Sequence, residues 1–396
     1  MLLKKYLPFI TKNILLLSVV SFFTDVASEM LYPVIPLYLS SIGIGISGIG
    51  IMEGIAEMLA ALSKTYFGIW SDRVRKRKIF IIVGYGFSAL SKPLMVLLKN
   101  YYWVKSMRVS DRLGKGIRTA PRDALLSDES TIENKGKVFG FHRAIDTFGA
   151  AVGPALSLIL MMLYHLDYST LFMIAFLPGI GAMLFSYFIR EEKTVGVYKK
   201  TETKKRIALK DLFAYWNVAN TNYKKVVIVL LLFYIFNSSD MLLLLKAKAS
   251  GITEYQIILL FILYNISYAV CAYPFGMLGD KWGLKTMISF GISIFGIVYM
   301  GVSVFSNLWI VIFLFILYGI YSAAIEGNIK AILSNVSKRE DTATAIGLFT
   351  SLQSFTFLIS NVLAGWIWSS FGADVPFMIS GIVALGISVY LFLVKL

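Results

Sequence analysis

The chain has 396 residues, 57% of them hydrophobic, with a mean hydropathy of +0.73 and a formal net charge of +15. Apolar runs of helix length recur along nearly all of it, which excludes a soluble globular domain and points to an all-α protein that crosses the membrane many times. The alternation of a membrane β-barrel is absent, and the positive charge gathers in alternate loops, so it marks membrane topology and not a nucleic-acid partner. A single cysteine, Cys271, excludes an internal disulfide and a cysteine metal cluster; with two histidines, no metal site or cofactor is expected.

About twelve spans are predicted. Residues 1–12 lead into an apolar run that continues past Asp25, so they open a first helix and not a cleaved signal peptide. Helix 1 is placed at about 14–40, helix 2 at about 46–70, helix 3 at about 79–98 and helix 4 at about 103–127. Helices 5 and 6 follow at about 137–163 and 168–189, then a polar basic stretch to Lys225. Helices 7 to 12 are placed at about 226–248, 254–278, 286–305, 308–333, 342–368 and 375–394. This divides the chain into a six-helix bundle at 1–190, a linker at 191–225 and a second bundle at 226–396. Basic residues in the first tail, the 2–3 loop (Arg73, Arg75, Lys76, Arg77, Lys78), the linker and the 10–11 loop (Lys338, Arg339) share one side, which places both termini in the cytoplasm of a plasma-membrane protein.

The halves read as repeats. Gly68–Arg73 lies over Gly276–Lys281 at an offset of 208, Gly140 over Gly347 and Ala124–Asp128 over Ala331–Asn335 at 207, and Asp25 over Asp240 at 215. Repeats of this kind place a transporter's binding site at the pseudo-symmetric interface near mid-membrane.

Helix 4 is the span hydropathy alone would miss. At about 100° per residue, Arg108, Arg112, Lys115, Arg118 and Arg122 fall on one stripe with Asp111 and Asp123 at its margins. Each charge facing lipid would cost roughly 2.5–3.5 kcal/mol, so the stripe must face protein, water or substrate. Asp25 and Glu29 share a face of helix 1, and Glu53 and Glu57 a face of helix 2. At about 1.5 Å per residue, Glu29, Glu57, Arg112 and Asp240 sit at roughly the same depth, with Asp25 and Lys115 roughly one turn nearer the cytoplasm. Asp25, Glu29, Glu53, Glu57 and Asp240 with Arg108, Arg112, Lys115 and Arg118 are therefore the candidates for a central site, either as a static salt-bridge network or as a proton-coupled cavity. Lower down, His142 and Asp146 share a face near Arg143, and Glu326 is expected to pair with Lys330 one turn on. Lys64 and Lys92 are single cations with no assigned partner, and Tyr32, Tyr38, Phe236, Tyr264 and Tyr268 are candidate cavity aromatics.

These motifs resemble the major facilitator superfamily over essentially the whole chain. Gly68-x-x-Ser71-Asp72-Arg73-x-Arg75-Lys76-Arg77-Lys78 is similar to the family's 2–3 loop signature, Gly-x-Leu-Ala-Asp-Arg-x-Gly-Arg-Lys, departing at Trp70 and at the missing second glycine. The copy Gly276-x-Leu278-Gly279-Asp280-Lys281-x-Gly283-x-Lys285 is closer. Arg112-x-x-Lys115-Gly116 and Gly149-x-x-x-Gly153-Pro154 are similar to signatures in helices 4 and 5, the latter found mainly in antiporters. The resemblance implies two six-helix bundles, loop residues Gly68, Asp72, Arg73, Gly276, Asp280 and Lys281 that gate the carrier, and a helix 5 packing motif at Gly149, Gly153 and Pro154. It further implies a monomeric, proton-coupled exporter of a small solute in a lipid bilayer. The competing reading has the helix 4 cations bind an organic or phosphate-bearing anion. A membrane-embedded enzyme or receptor is the remote alternative, and no catalytic spacing supports it.

Overall fold

The computed structural model describes residues 10–74, 76–130, 135–165, 167–191, 215–337 and 342–393. Every regular element among them is a helix, and apart from one turn at 215–218 they form twelve units. These are α1 (Lys12–Ser41), α2 (Ile46–Val74), α3 (Arg77–Met95), α4 (Tyr101–Asp128), α5 (Lys135–Tyr164), α6 (Tyr168–Tyr187), α7 (Thr221–Ala249), α8 (Glu254–Trp282), α9 (Leu284–Val304), α10 (Leu308–Asn335), α11 (Thr342–Phe371) and α12 (Val375–Leu393). Ten are long and apolar enough to cross a bilayer; α3 and α4 are the exceptions, and they pack against each other. Most of the expected linker, 192–214, lies outside the described residues.

Polar side chains set several helix ends. Asn100 and Asn307 cap α4 and α10 at equivalent places, each accepting from two backbone N–H groups of the first turn. Asp167 caps α6; hydrogen bonds from the Thr170 hydroxyl and backbone N–H hold its carboxyl below the usual carboxylate range. Glu191 accepts from the backbone N–H of Arg77 at 2.6 Å and of Lys78 at 3.3 Å, closing the start of α3.

Two spans expected to be continuous are broken. α1 divides into Lys12–Glu29 and Val34–Ser41, because Pro33 supplies no N–H and its ring excludes a normal turn before it. α7 divides into Thr221–Ile235 and Asp240–Ala249, and the buried backbone N–H of Ser239, freed by the break, donates to Asn361 Oδ1 of α11 at 3.0 Å. The repeat is visible in where helices begin. Tyr101 and Leu308, and Tyr168 and Val375, each stand 207 residues apart. On that register Asp240 does not correspond to Asp25, and the offset of 215 expected for that pair falls away: Asp25 lies inside the first segment of α1, whereas Asp240 opens the second segment of α7.

The halves meet through two symmetry-related pairs, α2 with α11 and α5 with α8, and through the second segments of α1 and α7. The α2–α11 seam is tight at one end only. Ser47 Oγ donates to Gly365 O at 2.9 Å, and the backbones of Gly50 and Gly54 lie directly on Asn361 and Leu358. Toward the end bearing the 2–3 connection, Lys64, Lys115, Glu326 and Lys330 are exposed, so a vestibule opens there.

Within the first half, α5 lies against α1 through glycines. A Cβ on Gly153 would stand 2.7 Å from Met30 N and 2.8 Å from Val26 O, and one on Gly149 2.6 Å from Phe22 O. These neighbours are backbone atoms and cannot swing aside. Gly153→Ala should force α5 off α1 and lower unfolding stability by about 1–3 kcal/mol, read as a reduced melting temperature in detergent; an unchanged melt would show that the contact yields freely.

Candidate functional site

The cations of α4 face protein, but they do not act as one surface. Arg108, 2% exposed, grips Glu53, 1% exposed, through two parallel bonds of 3.0 and 2.9 Å. Its third nitrogen reaches Asp111 at 3.4 Å. Asp111 also takes Lys92 Nζ at 3.1 Å and the Ser88 hydroxyl at 2.6 Å. Arg112 lies 3.0 Å from Glu57 and 3.8 Å from Glu53. The buried chain Lys92–Asp111–Arg108–Glu53–Arg112–Glu57 thus ties α2, α3 and α4 together. Sequence reading treated Lys92 as partnerless and Asp111 as marginal; both lie inside this network, because Ser88, Lys92 and Asp111 meet where α3 crosses α4.

Arg118 departs from the expected site. Ten residues after Arg108 it has turned by about 80°, and its guanidinium sits 4.7 Å over the Tyr85 ring of α3, away from the carboxylates. Arg122 bonds Asp123 at 2.9 Å and the Ser21 hydroxyl at 2.9 Å, and stands 4.0 Å from Asp146. Lys115 is exposed in the vestibule, within electrostatic range of Asp25, Glu29 and Glu57.

Asp25 meets an acid that the sequence did not assign to it. Asp25 lies 3.3 Å from where a Cβ on Gly149 of α5 would stand, one turn beyond Asp146, and Ser21 of α1 donates to Asp146 at 2.5 Å. The glycines at 149 and 153 allow this approach by removing side chains between the helices. His142 does not complete this group; its Nδ1 faces Ser18 Oγ at 3.3 Å.

Asp240 lies apart from the cations expected around it. The break in α7 turns it into the second half, where it accepts from Tyr318 at 2.7 Å and lines a cavity of about 400 Å³. Tyr234, Tyr264, Tyr318, Tyr321, Asn237 and Glu326 form much of the wall. Only Tyr264 among these tyrosines was singled out beforehand; Tyr318 and Tyr321, three apart on α10, carried a usable signal in their shared face. Tyr32 stacks on Phe261 at 5.1 Å and carries Arg112 over its ring at 5.8 Å, so it stands between the charged and aromatic sides. Tyr38 packs on Phe172 inside the first half, and Phe236 is absent from the cavity wall. The expected Glu326–Lys330 pair is replaced: Glu326 accepts from Tyr268 at 2.6 Å.

The loop residues give a partial picture. Gly68 packs on Ala120 of α4, nothing lies within 4 Å of a Cβ on Gly276, and Lys281 is exposed. The side chains of Asp72, Arg73 and Asp280 lie outside the described residues. Arg77 forms an ion pair with Asp128, so part of the basic cluster ties the start of α3 to the end of α4.

Two repeated six-helix halves around a vestibule, with ion pairs buried between the helices, define a multi-pass membrane transporter. The chain belongs to the Major Facilitator Superfamily, whose sequence profile matches residues 17–247 and 226–396. It is 34% identical over 386 residues, 95% of this chain and 93% of the relative, to an uncharacterized MFS-type transporter of Methanocaldococcus jannaschii. It is 22% identical over 197 residues, 49% of this chain and 47% of the relative, to the multi-drug resistance efflux pump PmrA of Streptococcus pneumoniae. Among solved structures, the nucleoside transporter NupG superposes with a TM-score of 0.80 at 12% identity over 97% of this chain and 100% of that chain, a likeness of fold alone.

Removing one partner of a buried pair strands the other charge. Glu53→Ala should destabilise the protein by about 3–5 kcal/mol, read as loss of folded protein on size-exclusion chromatography after mild heating. The double variant Glu53→Ala, Arg108→Met should recover most of that loss. A single variant as stable as the parent would show that the pair is not needed to hold α2 against α4.

Proposed function

We propose that the protein is a proton-coupled exporter of a small organic solute, working as a monomer by alternating access and crossing the cell membrane twelve times with both termini in the cytoplasm. On this topology the basic connections, and with them the vestibule, face the cytoplasm, and the seam of α2 on α11 closes the outer side. The observation that carries the reading is the placing of Asp25 on α1 against Gly149 of α5, 3.3 Å from where a Cβ would stand and one turn beyond Asp146. Two carboxylates brought together at a buried helix contact repel when both are ionised, so in this reading they share a proton. Lys115, exposed beside them, stabilises the ionised state once that proton leaves.

The solute site in this reading is the tyrosine-walled cavity, whose opening reaches the same vestibule. Solute entering from the cytoplasm meets Asp240 and Glu326 on one side and the ionised pair on the other. The partial similarity to a multi-drug efflux pump points the same way in direction. The anion reading keeps Lys115 but loses two of its donors, because Arg108 and Arg112 are engaged by Glu53 and Glu57.

Everted membrane vesicles energised to an acid interior test this with ethidium as the solute. They should accumulate the dye, a protonophore should release it, and Asp25→Asn or Asp146→Asn should cut accumulation at least about tenfold, the scale of typical site coupling. Accumulation that persists without a proton gradient would remove proton antiport.

A further inference from the structure

One line of contacts runs from the carboxyl pair to the solute cavity and crosses between the halves. Asp25 of α1 stands against Gly149 of α5, one turn beyond Asp146. Arg143, one turn before Asp146, holds it at 3.3 Å and lies within electrostatic range of Tyr268 on α8, the helix packed against α5. Tyr268 donates to Glu326 of α10 at 2.6 Å, and Glu326 lines the cavity. Neither the ion-pair core of α2–α4 nor the tyrosine wall needs this line for its own geometry. Arg143 has an exposed side chain on α5, which packs on α8 as one of the two symmetry-related pairs joining the halves.

We propose that Arg143 and Tyr268 are the coupling link, through which the proton on the Asp25–Asp146 pair sets the tie between the two halves and the solute at Glu326 sets the proton. This rests on the proton-coupled reading above. One guanidinium has two claimants. While the pair holds its proton it carries one negative charge, and Arg143 is shared with Tyr268 and, through it, with Glu326. Loss of the proton adds a second negative charge one turn away on the same helix and draws Arg143 back toward Asp146, which loosens α5 from α8. A cationic group at Glu326 does the same from the other end, competing for the carboxylate that Tyr268 serves. By linkage, whatever loosens the tie at Glu326 also favours proton loss at the pair. The bistable element is the packing of one half on the other, which both ends bias.

The pair does not stand alone. Glu29 of α1, Lys115, Arg122 and Asp123 of α4 and His142 of α5 face it, while Asp240 of α7 and Lys330 of α10 lie near Glu326. These groups place the midpoint; the link decides whether the second half responds to it.

The test is a pH titration of the distance between spin labels at Lys12→Cys and Thr221→Cys, two exposed positions at the vestibule end, with Cys271 replaced by Ala. In the parent, the distance distribution should switch between two populations across pH 5 to 8.5, and Asp25→Asn should abolish the switch. Tyr268→Phe, which keeps the ring and removes the hydroxyl, and Arg143→Gln should each move the midpoint by about one pH unit, a tenfold coupling, while Arg143→Lys should restore part of it. A parent that switches with Tyr268→Phe and Arg143→Gln superimposed on it overturns the link and leaves the proton reading intact. A parent that does not switch overturns the proton reading, and the link with it.

Discussion

A charge inside a bilayer must be matched there, and the first half of this protein is built around that demand. α4 carries more cations than any other span and is too polar to enter lipid by its own hydropathy. It sits instead against α2 and α3, where Glu53, Glu57 and Asp111 receive Arg108, Arg112 and Lys92. The glycines of α4 serve the same end: Gly114 lies on the Gly84 backbone and Gly116 on that of Ala60, close enough for the ion pairs to shorten. Packing and charge matching are therefore one requirement, since the approach that excludes water also sets the distances at which the pairs form.

The second half solves a different problem. It has few buried charges, and its core holds stacked tyrosines and phenylalanines, with Phe295 and Tyr299 at 3.9 Å. The carboxylates of its cavity, Asp240 and Glu326, accept from tyrosine hydroxyls, whereas Asp374 and Glu254 nearer the surface pair with Lys246 and Lys248. The same fold repeat thus supplies a rigid ionic framework on one side and a hydroxyl-rich cavity on the other. The symmetry is one of backbone, visible in helix starts 207 residues apart, and not of chemistry. Between them lie a tight glycine–serine seam at one end and an open vestibule at the other.

Much of this could be read from the residues. The twelve helices, the repeat, and the requirement that the α4 stripe face inward follow from helix length, offset and the energy of charge in lipid. Breaks at Pro33 and before Asp240 were not read, though proline and the Asn237-Ser238-Ser239 run pointed to them. The error mattered: taking α7 as straight placed Asp240 among the cations and made it the counterpart of Asp25.

What the sequence by itself determined was which residues cannot face lipid, because that depends only on side-chain charge and helical period. Which of them meet was decided by the tertiary structure. A helix turns about 100° per residue, so a stripe running from residue 108 to 122 spreads over neighbours on several sides, and Arg108, Lys115 and Arg118 end in three different surroundings. Asp25 and Asp146 are 121 positions apart, and they come together because two glycines let α1 and α5 touch.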